Sequence, residues 1–485
     1  MKYTFEKRSK IMATLGPASK DEKVLKDMVK RGASVFRINA SHSRKEKDIA
    51  TQVALVRDLS KSSGVPIGVL VDLQGPKIRI GEFEGGEAML QSDDTFILTT
   101  DQVSGNQERA TINCEGFLKD IRIKDPIYID DGNIHLVVAE IKGQEVICNV
   151  VRGGRVSNNK GINLPETKLS VSAISKKDSK DILTAIKYKV DFIALSFVSH
   201  EDEIYELKDI LAEKGASDIK VIAKIERQSA VERIEKIVEA SDLIMVARGD
   251  LGVEIGVESV PEVQKMIIRT ANRYLRPVIV ATQMLESMVK QKTPTRAEVS
   301  DVANAIYDKC DAVMLSGETA VGVDPGNAVA AMARICVATD KHLATIKREK
   351  YQLTKNVFET TSISTTCCKA ADQIAEENHA HALMVFTSSG NTPLIASKLN
   401  PGIPIIAPAD DHAILNRMTI YRGVIPILMP KQFNDIYRWT DMINLAVDQS
   451  KKMGLLDKGD IIVVTAGIPI GISGGINSIR ILTVE

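Results

Sequence analysis

The chain is poor in aromatic residues: they make up 4% of 485 positions, with a single tryptophan. That leaves few flat faces on which nucleic-acid bases could stack. An excess of one charge is also missing. Lys+Arg and Asp+Glu both number 63, so no net field invites a polyanion or an anionic membrane. No apolar run approaches the ~20 residues of a spanning helix, and the opening "MKYTFEKRSK" has no apolar core of a secretion signal. The six cysteines include no C-x-x-C pair. Adjacent Cys367 and Cys368 fall in a helix-like stretch and are expected in a core rather than as a redox couple. The seven histidines form no ligand-spaced cluster. These absences argue against nucleic-acid and membrane partners and fit a reducing, cytoplasmic setting.

What is present is the composition of a globular protein, 44% apolar and 26% charged, in a chain too long for one hydrophobic core. Eight β-branched apolar runs dominate the first two thirds: "KIMAT" (10–14), "SVFRI" (34–38), "IGVLVD" (67–72), "DFIALSF" (191–197), "KVIAKIE" (220–226), "DLIMVA" (242–247), "PVIVAT" (277–282) and "DAVMLS" (311–316). Helix-period segments such as "DEKVLKDMVKRG" follow nearly all of them. Continuous apolar strands alternating with helices indicate a parallel sheet buried on both faces, and eight such units a (β/α)₈ TIM barrel.

The alternation breaks once. Between the third and fourth runs the pattern changes to period two with Asp-Gly turn signals, predicting a small inserted β-barrel domain over 75–168. Gly75-Pro76 would form its first hinge. The barrel domain is then 1–74 together with 169–345. Strand-like runs alternate with helical stretches again over 346–485, predicting a C-terminal open α/β domain. Its last strand, "SIRILTV", is expected to be docked.

In a (β/α)₈ barrel the chemistry sits at the C-terminal strand ends. These ends supply Thr14; Arg37, Asn39, Ser41 and His42; Asp72; Lys224 and Glu226; Arg248, Gly249 and Asp250; Thr282 and Gln283; Ser316 and Glu318. A lone Lys-x-Glu is most often an ion pair. Here Glu226 has a second potential neighbour in Asp250, and two adjacent carboxylates repel unless a cation lies between them. Mg²⁺ suits a site of one or two carboxylates completed by substrate oxygens. Arg37 suits a phosphate, or a structural pairing with Asp72; the two are compatible. The N–H groups at Gly249 and Asp250 could hold a carboxylate, or the segment could be a tight turn capped by the acid.

The segments "TLGPAS", "FRINASHS", "DLQGPKIR", "AKIER", "MVARGDLGVEI", "ATQMLESM", "PTRAEVSDVANAIYD" and "DAVMLSGETA" together resemble the pyruvate kinase family, and the resemblance spans the whole chain. It implies Mg²⁺-dependent (or Mn²⁺-dependent) phosphoryl transfer from phosphoenolpyruvate to ADP, giving pyruvate and ATP. It also implies roles. Glu226 and Asp250 would hold the divalent metal. Lys224 would stabilise the transferring phosphoryl group and the enolate, and Arg37 would contact phosphoryl group and nucleotide. Gly249 and Asp250 would bind the substrate carboxylate, with Thr282 near the enolate carbon and Ser316 in the protonation path. Thr14, Arg37, His42, Arg79 and Lys177 would lie near the nucleotide. Asn39, Ser41, Asp72 and Leu73 would form the monovalent-cation pocket. A homotetramer is expected. Two alternatives stay open: a Mg²⁺-dependent aldolase or lyase acting on a pyruvate enolate, and a non-catalytic metabolite sensor. The first needs neither an ADP cover domain nor "ATQMLESM", and an intact Lys224 argues against the second, because pure binding would not need that lysine.

Two further expectations follow. Thr387, Ser388, Ser389, Gly390, Asn391 and Thr392 stand between a strand and a helix, a setting for an ordinary N-cap or for phosphate; four hydroxyls around a glycine, in the domain where the resembled family holds sugar-phosphate effectors, imply a sugar phosphate or nucleotide monophosphate as effector. Asn391 replaces the basic residue frequent there in the family, which favours a monophosphate. The segment "DLQGPKIRI" carries Lys77 where K⁺-requiring members carry a glutamate. Its ammonium would stand in for K⁺, so K⁺ is expected not to be required.

Overall fold

Eight parallel strands close a barrel in the computed structural model: β1 (Lys10–Thr14), β2 (Ala33–Asn39), β3 (Gly68–Asp72), β4 (Phe192–Leu195), β5 (Lys220–Ile225), β6 (Leu243–Ala247), β7 (Val278–Ala281) and β8 (Ala312–Leu315). The structure describes residues 7–43, 45–76, 78–114, 116–165, 167, 173–345, 362–430, 438–468 and 476–485. Lys77 therefore lies outside the described residues, as does the second junction of the insert.

The strands form where the eight apolar runs stand because both faces are covered. Every residue of β3, β4, β6, β7 and β8 is buried. The helices between them show local stop and start chemistry. Helix Glu22–Arg31 begins where the Asp21 side chain accepts from the Lys23 N–H and ends at Gly32, whose φ of 118° requires glycine. Parallel register aligns the strand ends. Arg37 pairs with Leu70 and Asn39 with Asp72, so polar residues on β2 and β3 reach the mouth at one level.

The insert keeps the expected all-β character. Its hydrogen bonds form a six-stranded sheet and a two-stranded sheet around one apolar core that includes Phe96, Phe117 and Ile134. Gly75, just past the end of β3, adopts φ 68°.

The C-terminal region is the expected open α/β domain, with five strands in the order 424–428, 405–409, 382–385, 461–466 and 478–483. The last strand pairs antiparallel with Ile461–Ala466. This domain also floors the barrel. Met12, Leu70, Phe192, Met245 and Met314 belong to one apolar cluster with Leu415, Met418 and Ile420. All six cysteines are free.

Candidate active site

At the mouth a ladder of opposite charges runs across four strands. Arg37 on β2 donates through Nε to Asp72 Oδ2 at 2.7 Å, and a second guanidinium nitrogen stands 2.6 Å from the same oxygen. Lys224 on β5 lies 3.4 Å from Asp72 and 2.8 Å from Glu226. Lys224 Nζ also donates to Ser196 Oγ at 2.7 Å. The Phe197 N–H donates to the other Glu226 oxygen at 2.6 Å. Thr14 Oγ1 sits beneath Arg37 at 3.2 Å and donates to the Leu315 carbonyl. Both structural pairings weighed from the sequence, Arg37 with Asp72 and Lys224 with Glu226, are therefore present.

Burial sets the electrostatics. It would raise the Asp72 pKa, but Lys224 and Arg37 outweigh it and hold the carboxyl below its ordinary value. It would lower the Lys224 pKa, but Asp72 and Glu226 outweigh it and keep the ammonium charged. Glu226 goes the other way. Burial raises its pKa, Lys224 opposes this, and the nearby Asp250 charge raises it again. That repulsion is what a divalent cation would relieve.

The donor set fits such an ion. No group of three or more His, Cys, Asp or Glu is gathered as a metal site among the described residues. Two carboxylates beside a substrate site suit Mg²⁺, which keeps several ligands from water and substrate, and do not suit a soft metal.

The segment after β6 is not a tight turn but the start of helix Arg248–Ile255, with Asp250 in its first turn. The Gly249 N–H donates to Thr282 Oγ1 at 2.8 Å, and that hydroxyl donates to the Ala281 carbonyl at 2.6 Å. A Cβ at Gly249 would meet only Thr282, at 3.6 Å, so no protein atom demands the glycine. The segment after β7 is strained. Thr282 and Gln283 adopt φ of 69° and 52° in succession, at a cost on the order of 1–3 kcal/mol each. Glu318, 1% exposed, accepts from the Leu285 N–H at 2.9 Å and the Ser316 N–H at 2.7 Å, tying the ends of β7 and β8 together. Ser316 Oγ is buried without a hydrogen-bond partner.

The other expected positions are spread over all three regions. Asn39 accepts from the Ser41 N–H. The Leu73 carbonyl accepts from Ser196 Oγ at 2.7 Å. His42 is exposed at the end of the short helix Ala40–His42. Lys177 donates to the Ala40 carbonyl at 2.7 Å and pairs with Asp181. Arg79 is held within the insert by the Asn159 carbonyl at 2.7 Å. The loop at 387–392 lies in the C-terminal domain, where Thr387 Oγ1 accepts from the Gly390 N–H at 2.9 Å and Ser388, Ser389 and Asn391 are exposed.

Sequence reasoning missed Ser196, which contacts Lys224, Asp72 and Leu73. The signal was available: β4 was the one strand from which no terminal residue was drawn, and Ser196 follows its last residue, Leu195. It also missed Asp178, whose Oδ1 accepts from the Gln74 N–H at 2.9 Å and the Gly75 N–H at 3.3 Å, holding the hinge to the barrel.

Charged strand ends on a (β/α)₈ barrel, beside an inserted β-domain and above an α/β floor, are the setting of an enzyme acting on an anionic substrate. Residues 6–329 match the family described as "Pyruvate kinase, barrel domain", and residues 365–482 match "Pyruvate kinase, alpha/beta domain". The chain is 41% identical to a pyruvate kinase of Corynebacterium efficiens over 98% of both chains. It is 40% identical to one of Methylorubrum extorquens, covering 98% of this chain and 97% of that one. It is 38% identical to one of Thermotoga maritima over 98% of this chain and 99% of that one. This chain belongs to the pyruvate kinase family.

Proposed function

We propose that the chain moves the phosphoryl group of phosphoenolpyruvate to ADP in a Mg²⁺-dependent reaction, with one proton taken up at the enolate carbon to give pyruvate and ATP. The observation that carries this reading is Lys224, a buried cation held between Asp72 and Glu226 at the mouth. Phosphoryl transfer asks the protein mainly for positioning and charge neutralisation. Arg37 and Lys224 supply fixed positive charge for the phosphoryl oxygens. Glu226 and Asp250 would hold Mg²⁺, which when bound neutralises charge on the phosphoryl and enolate oxygens. The substrate carboxylate takes the Gly249 and Asp250 N–H groups, releasing Thr282 Oγ1 from the Gly249 N–H. The freed hydroxyl, with Ser316, then serves the path that delivers a proton to the enolate carbon. Thr14, His42, Arg79 and Lys177 surround the nucleotide, and residues 75–168 close over the mouth to exclude water. ATP formation from phosphoenolpyruvate and ADP, read through a coupled assay, tests the reading. No ATP with Mg²⁺ present, or undiminished ATP after chelation, defeats it.

Three finer features belong to the same proposal. The exposed Ser388 and Ser389 hydroxyls and the loop 387–392 take a phosphorylated metabolite, a monophosphate in preference to a bisphosphate, which would displace the hydrogen bonds that the Ser389, Gly390 and Asn391 N–H groups make within the loop. The expected result is a leftward shift of the phosphoenolpyruvate saturation curve that Ser389→Glu abolishes. Activity needs no K⁺, because Lys77 stands in the sequence where K⁺-requiring members carry a glutamate and its ammonium would replace the ion expected near Asn39, Ser41, Asp72 and Leu73. A K⁺-specific rise of about ten-fold over a tetramethylammonium control, roughly 1.4 kcal/mol, would remove that idea. The chain assembles as a homotetramer, and sedimentation showing only monomer at micromolar concentration would exclude it.

A further inference from the structure

One buried cation stands beside the mouth without joining its charge ladder. Arg248, 9% exposed, opens the helix that carries Gly249 and Asp250. One guanidinium nitrogen donates to the Thr282 carbonyl at 2.7 Å and reaches the Gln283 carbonyl at 3.4 Å. A second donates to Asp301 at 2.7 Å and lies 3.4 Å from Gln264 Oε1, while Nε is buried without a hydrogen-bond partner. The counter-charge thus comes from Asp301 on the outer helix Arg296–Tyr307, not from the mouth.

We infer that Arg248 is a positioning residue: it grips the two carbonyls of the left-handed pair Thr282–Gln283 and so fixes the Thr282 hydroxyl against the Gly249 turn. Three features of the geometry carry this. Two successive non-glycine residues at positive φ persist only where their surroundings over-determine them. The atoms that Arg248 holds are the carbonyls of those two residues. The segment is also pinned on its far side, where Glu318 takes the Leu285 N–H, so its freedom to relax is confined to the end that Arg248 controls. A lysine could not reproduce the grip, because a single ammonium lacks the planar fork that serves Asp301 and the carbonyls at once. The consequence is a coupling: the N–H that receives the substrate carboxylate and the hydroxyl that serves proton delivery are indexed to one side chain. The inference rests on the role proposed above for Thr282.

The test follows exchange of the pyruvate methyl protons for deuterium in D₂O, measured by proton NMR on the full chain with Mg²⁺ and ATP. This reads proton transfer at carbon apart from phosphoryl transfer. Thr282→Ala should abolish exchange. Arg248→Lys should lower it by about 10–100-fold, the scale of a misplacement near 1 Å, with the KM for ADP within about two-fold of wild type. A merely structural arginine would lower the melting temperature and leave exchange per folded enzyme unmoved. Wild-type exchange in Arg248→Lys beside a dead Thr282→Ala overturns the positioning role alone. Wild-type exchange in Thr282→Ala overturns the reading of Thr282 and this inference with it. Should Arg248→Lys not fold, Asp301→Asn decides. Its side chain is 38% exposed, so its loss leaves no buried cavity. A fall of about three- to ten-fold is expected from loosened positioning, and unchanged exchange overturns the inference.

Discussion

Both ends of the barrel bury cations against carboxylates, yet the two ends finish differently. At the base every partner comes from the protein. Arg422 pairs with Asp340, and its guanidinium also donates to Ser9 Oγ at 2.6 Å and the Cys310 carbonyl at 3.2 Å. Asp340 accepts in addition from the Arg8 and Ser9 N–H groups, both at 2.8 Å. Lys398 pairs with Asp311 and donates to Asn272 Oδ1 at 2.8 Å. At the mouth the same pair types stand beside a buried unpartnered hydroxyl on Ser316, two strained residues, and a glutamate whose pKa a neighbouring aspartate raises. A buried ion pair alone therefore does not separate structure from function. Unsatisfied polar atoms alone do not separate them either, since Asn416 Oδ1 at the base is also buried without a hydrogen-bond partner; what the mouth adds is backbone strain at Thr282 and Gln283 and the repulsion between Glu226 and Asp250.

Removing one charge at each end tests that contrast, and the largest effect is expected at the mouth. Lys224→Met should cut turnover per folded molecule by about 10⁴-fold, the range in which a cation at a transferring phosphoryl group is worth its charge, and should also lower the melting temperature, because the buried Glu226 carboxylate loses its cation. Steady-state kinetics beside a thermal melt measures both, and retained turnover would end the assignment. At the base the effect should reverse in kind. Lys398→Met strands a buried Asp311 carboxylate and should destabilise by about 3–5 kcal/mol, with turnover per folded molecule little changed. Replacing both partners there, Lys398→Met with Asp311→Leu, should return part of the lost stability, because no unpaired charge remains although the Val278 N–H loses its acceptor. The matching double change at the mouth, Lys224→Met with Glu226→Leu, should restore no activity.

A pH effect at the seam between barrel and C-terminal domain should be smaller. Burial, aided by the Lys7 charge and opposed by Asp340, pushes the Lys10 pKa down to about 7, while its ammonium donates to the Val424 carbonyl at 2.6 Å. Below about pH 7 the lysine is charged in both folded and unfolded chains, and folding bears the full cost of burying that charge. Between about 7 and the ordinary 10.5 the unfolded chain binds the proton and the folded chain does not, so stability from this group rises with pH. Lys10→Met should therefore raise the melting temperature more at pH 6 than at pH 9. Equal shifts at both would disprove the depressed value. The smallest effect expected is at Ser316. Ser316→Ala removes a buried hydroxyl that lacks a partner and should stabilise by roughly 0.5–1 kcal/mol, while turnover falls through the proton path. Higher turnover, or a lower melting temperature, would count against its place there.

Much of this was legible because strand formation and strand-end chemistry are both local signals. A continuous β-branched run followed by an amphipathic one predicts a barrel strand and its helix, and the residue after each run marks the mouth. That reading found Arg37, Asp72, Lys224, Glu226, Asp250, Thr282 and Ser316. It passed over Ser196, which the same rule covers. It could not reach the Arg248 grip, because Thr282 lies far along the chain and nothing in "ARGD" or "ATQM" announces positive φ at two ordinary residues.

The sequence by itself determined the eight-unit alternation, the all-β interruption, the α/β ending and the kinds of charge delivered to the barrel's mouth. These depend on periodicity and side-chain chemistry within a few residues. Only the tertiary structure decided which charges close on each other. The partners Lys224–Asp72 and Lys398–Asp311 are set by parallel register and domain docking. Between distant segments, packing geometry rather than local preference determines whether a buried charge is satisfied by the protein or held ready for a ligand.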